Sequence, residues 1–205
     1  MKLLVCGAGQ GGHAISAYAS REGHEVTLYT RTPRKEEIIK NKGNVIRMSG
    51  LFEGEAQIKE VSTKLDELVD AHDKIIVVTD ATAHKSYIER LASHLSNQDI
   101  VLISPGVGGA LEFYNRVCEI NPDANISVSE TDTLVYACKT PEVGHTYIKC
   151  EKNSILYSTV PRDREASFLE EIYPQSEKIT NPLMGLDDSP VFHIVGMIKN
   201  KDRIL

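Results

Sequence analysis

The sequence predicts a doubly wound α/β fold, and three observations predict it. Apolar runs of strand length alternate with helical stretches through the first half of the chain. The runs at residues 3–6, 74–79 and 100–103 show no polar alternation, as strands buried on both faces do. The connections between them are short and rich in Gly, Pro and Asp.

Each element follows in order. Residues 3–6 form a buried strand. Residues 11–22 form a helix of small side chains that Gly23 ends, and the β-branched and aromatic run 25–30 is the next strand. Pro33 suits the first turn of a helix running to about residue 41. Residues 45–48 and 54–59 make a strand pair around Gly50, and 65–71 a brief amphipathic helix. After strand 74–79, Tyr87, Leu91 and Leu95 put an apolar stripe on one helix face. Strand 100–103 turns through Pro105 and Gly106 into a helix at 111–120. The later part differs: strands at 126–130, 135–139, 144–149 and 154–159 follow one another without helices. They predict extra, partly antiparallel strands that extend the sheet. A helix at 164–172, a polar loop at 174–190 and a last helix from 191 complete the reading.

Composition narrows the function classes. The 205 residues are 41% hydrophobic and 25% charged, and 29 acidic against 23 basic residues give a net charge of −6. No Lys/Arg block offsets that charge, so a nucleic-acid partner is not expected. Cys6, Cys118, Cys138 and Cys150 show no paired spacing, and no His/Glu motif for a metal is present. Reduced thiols, no metal, no signal peptide and no membrane span lead to the expectation of a cytoplasmic protein.

The turn after the first strand carries the chemistry. Gly7-Ala8-Gly9-Gln10-Gly11-Gly12 fits G-x-G-x-x-G between a strand and a small-residue helix. In that motif the first glycine allows the tight turn, the second lets a pyrophosphate approach, and the third lets the helix pack on the sheet. The fold is therefore expected to be a Rossmann-type parallel sheet that holds a dinucleotide on Gly7, Gly9, Gln10, Gly11 and Gly12. At the end of the second strand stands Thr30-Arg31-Thr32-Pro33-Arg34-Lys35, about 23 residues on, where a carboxylate would favour NAD. Thr30, Arg31 and Arg34 suit a 2′-phosphate instead. NADP(H) is therefore expected over NAD(H); the other reading makes these residues an ordinary solvated helix start.

Four further segments resemble the NAD/NADP octopine/nopaline (opine) dehydrogenase family. They are SPGVGGALEFYN (104–115), SETDTLVYACK (129–139), VVTDATAH (77–84) and SPVFHIVGMIKNKDRI (189–204). The resemblance implies that Thr79, Asp80, Pro105 and Gly106 lie beside the cofactor, and that Glu130 and Thr131 meet the substrate at a strand end. Read on residue type alone, Glu130 is equally a surface carboxylate and Thr131 a strand former. The resemblance also places His193 on the family's catalytic histidine; without it, His193 is a loop histidine that caps a helix. Ser189 and Ile194 depart from the family's Asn and Pro, and Asp80 from its Pro.

The family's reaction condenses an amino acid with an α-keto acid and reduces the imine with NAD(P)H. An imidazole, with an ordinary pKa of about 6.5, suits the accompanying proton transfer. The implied domains are a nucleotide-binding domain at 1–180, and a linker with the first helix of an otherwise absent helical substrate domain at 181–205. A homodimer, or a complementary helical-domain chain, is the expected protein partner, covering apolar surface left open. Two alternatives stay open: a truncated or non-catalytic nucleotide-binding fragment or subunit, and a ketopantoate-reductase-like enzyme, which shares the glycine turn and the Arg after the second strand.

Overall fold

The computed structural model describes residues 1–103 and 108–180. In chain order the elements are β1 (Lys2–Cys6), α1 (Gln10–Arg21), β2 (Glu25–Tyr29), α2 (Pro33–Asn41), β3 (Val45–Gly50), β4 (Gly54–Gln57), β5 (Glu60–Ser62), α3 (Leu65–Val69) and β6 (Lys74–Val77). There follow α4 (Ala81–Leu91), β7 (Asp99–Leu102), α5 (Gly109–Ile120), β8 (Ser127–Thr131), β9 (Tyr136–Glu142), β10 (His145–Glu151), β11 (Ile155–Val160), α6 (Ser167–Ile172) and β12 (Ser176–Lys178). No helix among the described residues is long and apolar enough to cross a membrane.

The main sheet has eight strands in the order β12-β11-β8-β7-β6-β1-β2-β5. All neighbours are parallel except β8 and β11. From β5 to β8 the order is the 3-2-1-4-5-6 arrangement of a Rossmann sheet, which reverses between β1 and β6. Because side chains alternate along a strand, β1 feeds two cores. Leu3 and Val5 join the core that contains α1, while Leu4 and Cys6 join the core under α3, α4 and α5. All four are fully buried, which is why β1 reads as one continuous apolar run.

A second sheet, β4-β3-β10-β9, covers the outer side of α1. The helix is thus clamped between two sheets, and residues 12–17 and Ala19 are all buried. A helix buried on every side has no polar face. Gly12, Ala14, Ala17 and Ala19 keep it thin enough for both sheets to approach. The aromatic rings of Tyr18, Phe52, Tyr136 and Tyr173 close the gap, with Tyr18 stacked on Tyr173 at 5.7 Å.

Several expectations from the sequence need correction. Of the late strands expected to extend the main sheet, β8 and β11 do so. β9 and β10 instead join β3 and β4, with β10 running parallel to β3. β5 and β12 escape the sequence reading because three-residue edge strands carry too little periodicity to register; β12 falls in the expected loop. The last described helix, α6, begins at Ser167 rather than at 164. The helix expected from residue 191 lies outside the described residues.

Candidate functional site

The C-terminal ends of β1, β2 and β6 surround a cleft of about 790 Å³ at the point where strand order reverses. Ligands of open α/β sheets bind at such reversals, and sites for small molecules span about 300–1,000 Å³. The cleft is lined from the glycine turn by residues 7–11, from the end of β2 by Thr30, Arg31, Thr32 and Lys35, and from β6 by Val78, Thr79 and Asp80. Ala83, Tyr87, Ile103 and Leu134 complete the wall.

The glycines of the turn have distinct reasons. Gly7 has φ +120°, and a Cβ there would meet the Val78 carbonyl at 2.4 Å. A Cβ at Gly12 would sit 1.6 Å from the Gly7 carbonyl oxygen, so any larger residue would push α1 off the turn. Gly9 is different: a Cβ there would meet nothing within 4 Å. Its bare backbone faces open space, as the approach of a pyrophosphate requires. No side chain caps α1, and its first turn holds no acid. Its leading N–H groups and positive dipole end are therefore free to take an anion.

Charge in the cleft points the same way. Arg31 and Lys35 stand against the single carboxylate Asp80. Lys35 Nζ donates to the Ala8 carbonyl at 2.8 Å. Thr30 is buried, and its Oγ1 accepts from the Thr32 N–H at 3.2 Å. Thr79 Oγ1 is buried without a partner among the described residues, a polar atom that a ligand can satisfy. The apolar floor is braced below by Tyr29, whose hydroxyl accepts from Arg90 at 2.5 Å and whose ring meets Tyr87 edge-on at 5.9 Å. The residues present therefore fit a dinucleotide.

His13 locks the turn from behind. It is fully buried; Nδ1 donates to the Gly9 carbonyl at 2.9 Å, and Nε2 accepts from the Gly144 N–H at 3.1 Å. Burial lowers its pKa, and Lys35 and Lys42 nearby push it the same way. The second sheet is thereby pinned to the glycine turn through one neutral imidazole.

The predicted site residues divide into three groups. Gly7, Gly9, Gln10, Gly11, Thr30, Arg31, Thr79 and Asp80 meet in the cleft, and Gly12 packs beneath it. Arg34 is exposed and does not line it. Glu130 and Thr131 are buried rather than on the surface, and neither lines the cleft. Glu130 Oε2 accepts from the Ala110 N–H at the start of α5, at 3.1 Å, and Thr131 Oγ1 donates to the Thr133 carbonyl. Pro105, Gly106 and His193 lie outside the described residues.

Lys35, Tyr87 and Leu134 belong to the wall but were not assigned to it from sequence. Lys35 sits in the basic cluster, so a signal existed. Leu134 comes from the β8–β9 connection, and only the tertiary fold brings it to the turn. His84 is buried with Nε2 unpartnered among the described residues, and it abuts Gly109 of α5. Burial lowers its pKa, against the opposing pull of Glu112 and Asp80. Among the described residues no cluster of His, Cys, Asp and Glu could hold a metal.

Comparison with known proteins agrees with this geometry. An opine dehydrogenase from Arthrobacter sp. (strain 1C) is 26% identical over 183 residues, covering 87% of this chain and 51% of its own length. An octopine dehydrogenase structure with NADH and L-arginine superposes with a TM-score of 0.76 at 22% identity, over 91% of this chain and 50% of that one. A yersinopine dehydrogenase bound to NADP+ superposes with a TM-score of 0.72 at 17% identity, over 89% of this chain and 48% of that one. The chain spans about half the length of the curated relatives it matches. The family model for ketopantoate reductase PanE/ApbA matches residues 3–146, well over half of the chain. The glycine turn, the Arg31 position and both flanking strands fall inside that match, and this chain belongs to the ketopantoate reductase PanE/ApbA family.

Proposed function

We propose that the chain is the nucleotide-binding part of an NADP(H)-dependent oxidoreductase of the opine dehydrogenase kind. The observation that carries this reading is the cleft itself: a glycine turn at the strand reversal, an uncapped helix N-terminus and a rim bearing Arg31 and Lys35. The N–H groups of α1 hold the pyrophosphate, while Thr30 and Arg31 take the adenosine ribose and its 2′-phosphate. Thr79 and Asp80 flank the cofactor, with Pro105 and Gly106 toward its nicotinamide end. When bound, the nicotinamide supplies the reducing equivalent for an imine formed from an amino acid and an α-keto acid. His193 manages the proton, and Glu130 and Thr131 serve the substrate side, on the strength of the family resemblance. On the same resemblance, residues 181–205 are read as a linker and the first helix of a helical substrate domain.

A second reading is favoured by the family match at 3–146: reduction of a 2-keto acid without an amine partner. Titration of the chain with NADPH and NADH by calorimetry tests the shared premise, and binding of neither would end both readings. Oxidation of NADPH is then followed with an amino acid plus a keto acid, and with ketopantoate alone. Turnover only with the pair supports the opine reading; turnover with ketopantoate alone selects the second.

A further inference from the structure

The basic start of α2 does not act as one unit in the fold. Arg34 is exposed and away from the cleft, whereas Lys35 is half-buried and lines it. The ammonium of Lys35 is bound to the Ala8 carbonyl at 2.8 Å, inside the glycine turn. Among the described residues no carboxylate pairs with it. Lys40, Lys42, Lys59, Lys64, Lys74 and Lys178 each meet a carboxylate, and of the lysines without one Lys35 is the one that lines the cleft. The acid nearest in sequence, Glu36, is engaged by Lys40 at 2.5 Å.

Lys35 therefore holds a partly desolvated positive charge at the positive end of α1, against a neutral acceptor. Two like potentials meet there, and Asp80 is the one carboxylate among the lining residues of the cleft. Such an arrangement favours a bound anion. An ammonium has three donors, and the Ala8 bond uses one. Its flexible stem allows the head to change acceptor, which the planar fork of Arg31 does less readily. Arg31 lines the same wall from the end of β2.

We infer that Lys35 is the residue that discriminates NADP(H) from NAD(H), by leaving the Ala8 carbonyl for the 2′-phosphate of the adenosine ribose opposite Arg31. This rests on the proposed nucleotide reading of the cleft. With NAD(H) no such phosphate is present, and Lys35 stays on Ala8. The gain on binding NADP(H) is the replacement of a bond to a neutral carbonyl by one to an anionic phosphate oxygen, where opposite charges attract.

The test is calorimetric titration of the 205-residue chain and of Lys35→Met, Lys35→Arg and Lys40→Met with NADPH and with NADH, with thermal unfolding as a check on folding. Lys35→Met is expected to weaken NADPH about tenfold or more while NADH shifts less than about threefold. Lys35→Arg retains the preference, and Lys40→Met, which removes the same charge outside the cleft, leaves both affinities near those of the parent chain. The parent chain itself should lose NADPH affinity with salt more steeply than NADH affinity. If Lys35→Met does not fold, Lys35→Gln, which keeps a polar side chain and removes the charge, is titrated in its place and is expected to give the same selective loss of NADPH. Equal weakening of both nucleotides by Lys35→Met would show that Lys35 reads the pyrophosphate or braces the turn, and would overturn the inference. So would an unchanged NADPH-to-NADH ratio or equal salt slopes. Binding of neither nucleotide by the parent chain would overturn the nucleotide reading as well.

Discussion

Two glycines of the turn separate what the fold needs from what a ligand needs. Gly12→Ala forces a methyl into the Gly7 carbonyl, and it should cost about 2–4 kcal/mol of stability together with nucleotide binding. Gly9→Ala meets no protein atom, and φ −88° at that position suits any residue. It should leave the denaturation midpoint unchanged while removing most nucleotide affinity. Denaturant titration and calorimetry on the pair check this; a destabilised Gly9→Ala with intact binding would contradict the assignment. His13 carries a different prediction. Its folded pKa lies below the ordinary 6.5, so below that value the unfolded chain takes up a proton that the folded chain refuses. Stability is therefore retained above about pH 6.5 and falls as pH drops through and below it. His24 and His84 are shifted in the same direction and add to the fall. His13→Gln should be less stable near neutrality by about 1–3 kcal/mol, yet lose less between about pH 8 and pH 5, as urea unfolding at both ends would show. At this scale the motif glycines, Thr30 and Arg31 were legible because each type has a defined task at a defined spacing, whereas Thr79 and Asp80 entered only through the family resemblance. The bond from Lys35 to Ala8 was not, since it depends on how α2 returns over the turn.

Among the elements, α1 shows why a strand or helix can be read more easily than its surroundings. Its small residues mark a helix that packs closely, but not that two sheets enclose it. Ala17 is fully buried there. Ala17→Leu should destabilise the protein by about 1–3 kcal/mol through overpacking, measured by thermal or chemical unfolding; on a helix with one solvent face the same change would be mild at many positions. β9 and β10 tell the same story from the sheet side. Alternation identifies strands, but partners are chosen by tertiary packing. Nothing local says that His145 lies opposite Arg47 rather than on the edge of the main sheet. The pairing satisfies α1, whose outer side would otherwise face water.

Across the whole molecule, a connection between the two sheets reaches the cleft. The connection from β8 to β9 crosses between them and places Leu134, 41% exposed, at the mouth beside Gly11. Leu134→Asp should weaken both NADPH and NADH, by about tenfold, because a carboxylate there repels the phosphates; an unchanged affinity would remove Leu134 from the site. The fold class followed from the alternation of apolar strands with helices, and the position of the cleft from one glycine motif. The second sheet, whose β9–β10 turn supplies the Gly144 bond to His13, and the connection that brings Leu134 to the cleft required the three-dimensional structure.

The parallel pairing of β3 with β10 also bears on how the chain reaches its native state. β1, α1 and β2 are neighbours in sequence and can associate as soon as they exist. The outer side of α1 has only β3 and β4 as cover until the chain has grown, or folded, as far as Glu151, where β9 and β10 complete it. Contacts of long sequence separation form slowly because the intervening loop must be closed first. The helix behind the glycine turn is thus made early and enclosed late, a period in which it invites chaperones or aggregation. Pulsed hydrogen exchange during refolding should find α1 amides partly protected along with those of β1, and fully protected only when those of β10 are.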